Sequence, residues 1–224
     1  MGYYIDLKKI SIDQYKKILK TTTLIPSWKV LEENIDENMD RIKSFNIPHL
    51  AELKNRLKDK TKVQEFAKQS GLSENYLTVL RRVINGYHPK PNRIKDFPAI
   101  SEKTVEKLEK VGIKNTLHLY DHILTEESRA GLAQQTGINK KEMLKLTKLC
   151  DLSRIKWVNH TFAYVLYEAG YDTAKKVTKA DYTELYEEIK ALNAARKLYP
   201  AHIGLNDMRR LIEGAKMVAL EVEY

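Results

Sequence analysis

The chain has 224 residues, 42% of them hydrophobic and 31% charged, and its 39 Lys and Arg outnumber 30 Asp and Glu for a net charge of +9. That composition excludes a disordered or low-complexity chain and describes a globular protein with one substantial core or two modest ones. No apolar run reaches the length of a membrane span, and a single cysteine, Cys150, excludes an intramolecular disulfide framework.

The charge is uneven along the chain. Residues 1–60 carry 12 basic against 9 acidic side chains, residues 61–156 carry 18 against 11, and residues 157–224 carry 9 against 10. A basic middle suits a polyanionic partner. The opening MGYYIDLKKI lacks the apolar stretch of a signal peptide, and Asp6 stands where a myristoylation signal needs Ser or Thr. A cytoplasmic protein is expected, with no membrane partner.

Residues 3–33 read as a helical preamble, in which Ser11 and Gln14 form a capping box and Pro26 opens a helix containing Trp28 and Leu31. Asp36 then begins a run with Met39, Ile42 and Phe45 at helical spacing. It stops at Asn46, a residue that tolerates the left-handed backbone, and Pro48 starts the next helix. Thr61 to Ser70 is a helix stopped by Gly71, and Ser73 caps a helix carrying Leu77, Leu80 and Val83. The segment YHPKPNRIKD comes next, where two prolines at alternate positions exclude a helix and hold the chain extended. This gives an N-terminal region over 1–86 and a linker over 87–96.

Ser101 opens a run with Val105, Leu108 and Val111, stopped by Gly112 with Ile113 folding back on Leu108. Asn115 and Thr116 cap a short second helix. Thr125 caps a helix ending before Gly137, and Asn139 with Glu142 opens another by a capping box. Cys150 sits near its end as a small buried hydrophobe. Residues 97–150 thus form a second region. In the third, 151–224, Asn159 begins a run with Phe162, Leu166 and Ala169, stopped by Gly170 with Tyr171 behind it, and Thr173 caps the next segment. Asp181 with Glu184 begins a helix through Leu192, and Asn206 caps the last helix. With no alternating strand pattern of convincing length, the expected fold is all-α.

Two elements repeat. Phe66 to Val83 matches Leu132 to Leu149 at an offset of 66, and the same offset carries Ile42 to Leu108 and Ile47 to Ile113. The economical reading is three copies of one helix, turn, helix unit with connecting helices, the last copy truncated.

The phrases IKDFPAISEKTVEKLEKVGIKNTLHLY, TGINKKEMLKLTKLCDLSRIKWV and YEAGYDTAKKVTKADYTELYEEI resemble the bacterial family known as the domain of unknown function numbered 4332, itself similar to helix-hairpin-helix folds. The resemblance covers most of the chain from about residue 10. It implies tandem helix-hairpin-helix-like units and a cytoplasmic setting, and no established activity. DNA-binding modules of that fold read Gly, apolar, Gly in the hairpin, so that backbone amides at the second helix's start approach a phosphate. Here the hairpins read Asn34-Ile35-Asp36, Ala99-Ile100-Ser101 and Trp157-Val158-Asn159. The apolar centre survives and the glycines do not. Asp36 sets a carboxylate at its helix start and makes the first copy structural, whereas Ser101 and Asn159, with Lys103 and His160 nearby, leave amides for a backbone.

Arg81, Arg82, Lys90, Arg93 and Lys95 concentrate positive charge around the proline segment, either as phosphate contacts or as a solvated connector that orients the halves. The expected nucleic-acid-binding residues are these five with Ser101, Lys103, Asn159 and His160. His118 and His122 share a helix face but have no third ligand nearby, so neither metal nor cofactor is expected. Helix-hairpin-helix glycosylases carry a catalytic Lys after the hairpin and an Asp further on, where Lys103 and Asp121 stand here. The third copy has Thr161 opposite Lys103, and both residues are read as surface charges, so no enzyme is expected and no small-molecule substrate is identified. Two functions compete. One is weak, sequence-independent contact with a nucleic-acid backbone, DNA first; the other is a protein-interaction or scaffolding module that has lost the phosphate sites.

Overall fold

The computed structural model describes residues 2–224, and among them the regular elements are all helical, with no strand. No helix among them is long and apolar enough to cross a membrane. The chain divides into two compact units, Ile5–His88 and Pro89–Tyr224, the latter taking in residues 2–4.

In the first unit α1 (Ile12–Thr21), α2 (Ile35–Ser44), α3 (Leu50–Arg56), α4 (Lys60–Ser70) and α5 (Glu74–Asn85) are joined by short connections. The capping box at Ser11 forms, with Gln14 N donating to Ser11 Oγ at 3.1 Å and Ser11 N to Gln14 Oε1 at 2.8 Å. Pro26 opens a 3-10 helix over Pro26–Glu32, not an α-helix. Asp36 does not cap its helix: α2 starts one residue earlier, at Ile35, behind a left-handed Asn34. The Asp36 carboxylate is drawn to α1 instead, where Lys20 Nζ lies 2.7 Å away. Apolar faces of these helices meet around fully buried Tyr15, Met39, Ile42, Leu53, Phe66 and Leu80.

The second unit contains α6 (Glu102–Lys110), α7 (Thr116–Tyr120), α8 (Glu126–Thr136), α9 (Lys140–Leu152), α10 (His160–Glu168), α11 (Ala174–Thr178), α12 (Tyr182–Arg196) and α13 (Leu205–Ala215). Helix α9 packs on α7, α8 and α10, while α13 packs on α11 and α12. The C-terminal half of α9 is buried almost all round, from Leu146 to Leu152, so it is a core helix and not a surface one. Cys150 is buried there, its thiol directed at Thr116 O. Helix α12 runs on past Leu192 to Arg196. Helix α13 begins at Leu205, one residue ahead of Asn206, because the Asp207 carboxylate turns back to accept from Gly204 N at 2.8 Å.

Left-handed residues recur in a fixed order along the chain. Asn34, Ala99 and Trp157 have φ of 46°, 57° and 69°; Asn46, Gly112 and Gly170 have 56°, 84° and 88°; Gly71 and Gly137 have 70° and 62°. At Gly112 the helix ends in a Schellman motif, Ile113 N reaching Leu108 O at 2.9 Å and Gly112 N reaching Glu109 O at 3.0 Å. Gly170 repeats it with Tyr171 N to Leu166 O at 3.0 Å. A Cβ added at either glycine meets nothing within 4 Å, so only the backbone resists substitution. Gly112→Ala and Gly170→Ala are each expected to lower stability by about 1–2 kcal/mol, read as a shift of the urea midpoint at constant m. An unmoved midpoint would refute the capping argument.

A buried charge cluster ties distant parts of this unit together. The Arg154 guanidinium, 2% exposed, donates to Asp151 Oδ1 at 3.0 Å, to Tyr3 O at 3.2 Å and to Ala219 O at 2.9 Å, and lies 4.4 Å from the centroid of the Tyr120 ring. The other carboxylate oxygen of Asp151 accepts from Ala174 N at 2.8 Å and from Tyr224 Oη at 2.9 Å. The cluster binds the first residues, the last residues, α7, α9 and the start of α11 to one ion pair.

Candidate nucleic-acid interface

The proline segment is stitched onto the second unit as one wall of a groove. Ile94 N donates to Lys114 O at 3.0 Å and Thr116 N to Asn92 O at 2.9 Å, an isolated antiparallel pairing around Arg93 and Asn115. Buried Ile94 and Phe97 anchor it from beneath. The opposite wall is the turn into α10. Asn92 joins the two, because its Oδ1 accepts from His160 N at 3.1 Å. The groove encloses about 590 Å³, lined by Pro89, Lys90, Pro91, Asn92, Arg93 and Asp96 on one side and Trp157, Val158, Asn159 and His160 on the other.

Four of the expected site residues therefore meet here: Lys90, Arg93, Asn159 and His160. Their charges are not equally available. Arg93 holds Asp96 in a two-pronged ion pair, Nε to Oδ2 at 2.8 Å and Nη2 to Oδ1 at 2.9 Å, which keeps the Asp96 carboxyl below its ordinary range. Asn159 caps α10 by accepting from Phe162 N at 2.8 Å. With His160 N on Asn92 and Phe162 N on Asn159, two of the first amides of α10 are already satisfied. Lys90 is exposed at the rim.

The other residues of the expected site lie elsewhere. Lys95 is exposed on the 3-10 turn Ile94–Asp96 and does not line the groove. Ser101 caps α6 by accepting from Thr104 N at 3.2 Å, and Lys103 is exposed in the first turn of that helix. In the first unit Arg81 donates to Lys58 O at 3.1 Å, and Arg82 is exposed on α5. Lys103 and Asp121 both face solvent. His118 folds onto its own turn, Nδ1 lying 3.2 Å from Gly112 O, and no group of three His, Cys, Asp or Glu suited to a metal occurs among the described residues.

Two features of the site were not foreseen. Glu142, expected to close a capping box on Asn139, sends its carboxylate to the start of α6, accepting from Thr104 Oγ1 at 2.6 Å and lying 3.5 Å from Ser101 Oγ. The hairpin at Ser101 thus faces a negative charge, as the one at Asp36 does. Trp157 is the second. A bulky residue with φ of 69° is an outlier, and this one is 44% exposed on the groove, with Lys156 Nζ 4.3 Å from its ring centroid. The signal was in plain view: a tryptophan heads the segment Trp157-Val158-Asn159 that leads into α10.

The family model described as domain of unknown function (DUF4332) matches residues 98–218, more than half of the chain. The chain belongs to this family. The match begins at Pro98 and so spans α6 to α13, including the turn carrying Trp157 and His160; the proline wall of the groove lies just before it. No curated protein and no solved structure matches the chain.

Proposed function

We propose that this DUF4332 protein is a set of three helix-hairpin-helix-like units, two of them structural, whose third unit and proline segment hold a nucleic-acid backbone weakly and without sequence preference. The recurring left-handed residues at 34, 99 and 157 and at 46, 112 and 170 support the three-unit reading. The observation that carries the function is the groove itself, which gathers Lys90, Arg93, His160 and exposed Trp157. A phosphate strand beside Lys90, exposed at the rim, gains counterion release, a term that is independent of base sequence. DNA is the first partner to test, and the setting is cytoplasmic.

The test is a titration of the whole chain against duplex and single strands at several salt concentrations. With about four phosphates neutralised, log K is expected to fall against log salt with a slope of roughly −3 to −4 for a duplex. Lys90→Glu, Arg93→Glu and Lys95→Glu together should weaken binding to every sequence alike and flatten the slope. Lys175→Glu with Lys176→Glu should do less, since Lys176 is already paired with Asp172 at 2.8 Å. Absence of binding at low salt, or an unchanged slope in the triple variant, sinks the proposal.

One observation favours the alternative, a non-catalytic protein-interaction module. Carboxylates occupy two of the three hairpin starts, Asp36 in the first turn of α2 and Glu142 against α6, and both repel phosphate. The groove, and not the hairpin amides, is then the surface left to phosphate.

A further inference from the structure

We infer that the groove between the proline segment and the Trp157 turn takes single-stranded nucleic acid, an unpaired base stacking on the indole while the phosphates run past Lys90. This rests on the nucleic-acid reading above and names the substrate class for the same site.

The lining is what separates a single strand from a duplex. A duplex offers the protein a stiff, convex row of phosphates, and a surface built for it presents free amides and unpaired cations. Here His160 N and Phe162 N are taken by Asn92 and Asn159, and Arg93 is neutralised by Asp96. What the groove presents instead is flat: the exposed Trp157 indole, the rings of Pro89 and Pro91, and the His160 imidazole, which packs edge to face on Phe97 at 6.2 Å. Base faces match such a surface, and they are accessible only when the strand is unpaired. The groove, about 590 Å³, has room for a base with its sugar and phosphate. The cations are few, and the one exposed at the rim is Lys90, beside which the phosphates run. Because every base has a face, this mode carries no sequence preference.

The test uses the whole chain and three labelled probes of equal phosphate number: an oligo-dT of about twelve nucleotides, an abasic phosphodiester strand, and a duplex. Oligo-dT is expected to bind about 5- to 100-fold more tightly than the abasic strand, with quenching of tryptophan fluorescence. Trp157→Gly removes the ring while suiting the left-handed backbone, so the fold persists. It should abolish the quench and reduce oligo-dT affinity to that of the abasic strand, whereas Trp157→Phe should recover most of the affinity. Equal affinity for oligo-dT and the abasic strand, preference for the duplex, or an unaffected Trp157→Gly variant would overturn the inference while leaving backbone binding intact. Failure of all three probes to bind at low salt would overturn both. Polyglutamate competing as well as oligo-dT would assign the groove to an acidic protein partner and overturn the single-strand assignment.

Discussion

Arg154→Ala is expected to lower the unfolding free energy of the second unit by about 3–5 kcal/mol, the range for stripping one partner from a buried ion pair. The cost arises from the groups left behind. Asp151, 3% exposed, keeps its carboxylate in the interior with only Ala174 N and Tyr224 Oη to satisfy it, and Tyr3 O and Ala219 O lose their donor together. Asp151→Asn with Arg154→Met should cost less than the two single changes summed, because the double variant orphans no charge, and the cycle should return a coupling of about 1–3 kcal/mol. Denaturant unfolding in a Trp28→Phe background reports on the second unit alone, since Trp157 is then the remaining indole. A loss under about 1 kcal/mol for Arg154→Ala would show that the cluster does not hold the unit together.

The features legible in the sequence divide by the distance over which each interaction acts. Caps at Ser11, Ser73, Ser101, Asn115, Thr125, Asn139, Asn159 and Thr173 form as expected because each is a contact over three residues, settled by local chemistry. The stops at Asn46, Gly112 and Gly170 form for the same reason. Asp36 and Glu142 went differently because both satisfy a local cap rule yet have stronger partners far along the chain, Lys20 for one and Thr104, 38 residues away, for the other. A capping pattern shows what a carboxylate can reach locally. It does not show what else comes within reach once helices pack.

The candidate site was half legible. Lys90, Arg93, Asn159 and His160 could be named from charge and hairpin alignment, but their meeting around one groove depends on Asn92, whose side chain spans 68 residues to His160 N. Asn92 sits between Pro91 and Arg93, where its amide reads as loop polarity. Charge counting also overstated Arg93, because Asp96 three residues on neutralises it. Trp157 was visible at its position, but neither its left-handed backbone nor its exposure on the groove can be read from the sequence.

Lys156→Met is expected to stabilise the protein, and the gain should depend on pH. Lys156 is 4% exposed with its ammonium at the Trp157 ring, and burial pulls its pKa down from 10.5 to about 7. The folded state therefore releases a proton that the unfolded chain keeps between about pH 7 and pH 10.5. By linkage, the unfolded state then binds more protons and stability rises with pH across that window. Below pH 7 the folded chain must carry the charge in its buried position, at a cost of order 5 kcal/mol, taking 1.36 kcal/mol for each pH unit between 10.5 and about 7. Methionine keeps the length and apolar stem of the side chain and removes the charge. The variant should gain the most at about pH 6, less at about pH 8 and little near pH 10, as urea midpoints taken at the three pH values would show. A gain that is the same at all three would mean that packing, and not the buried ammonium, separates the variant from the parent. No gain at the lowest pH would mean that the Lys156 charge is solvated or compensated where it lies.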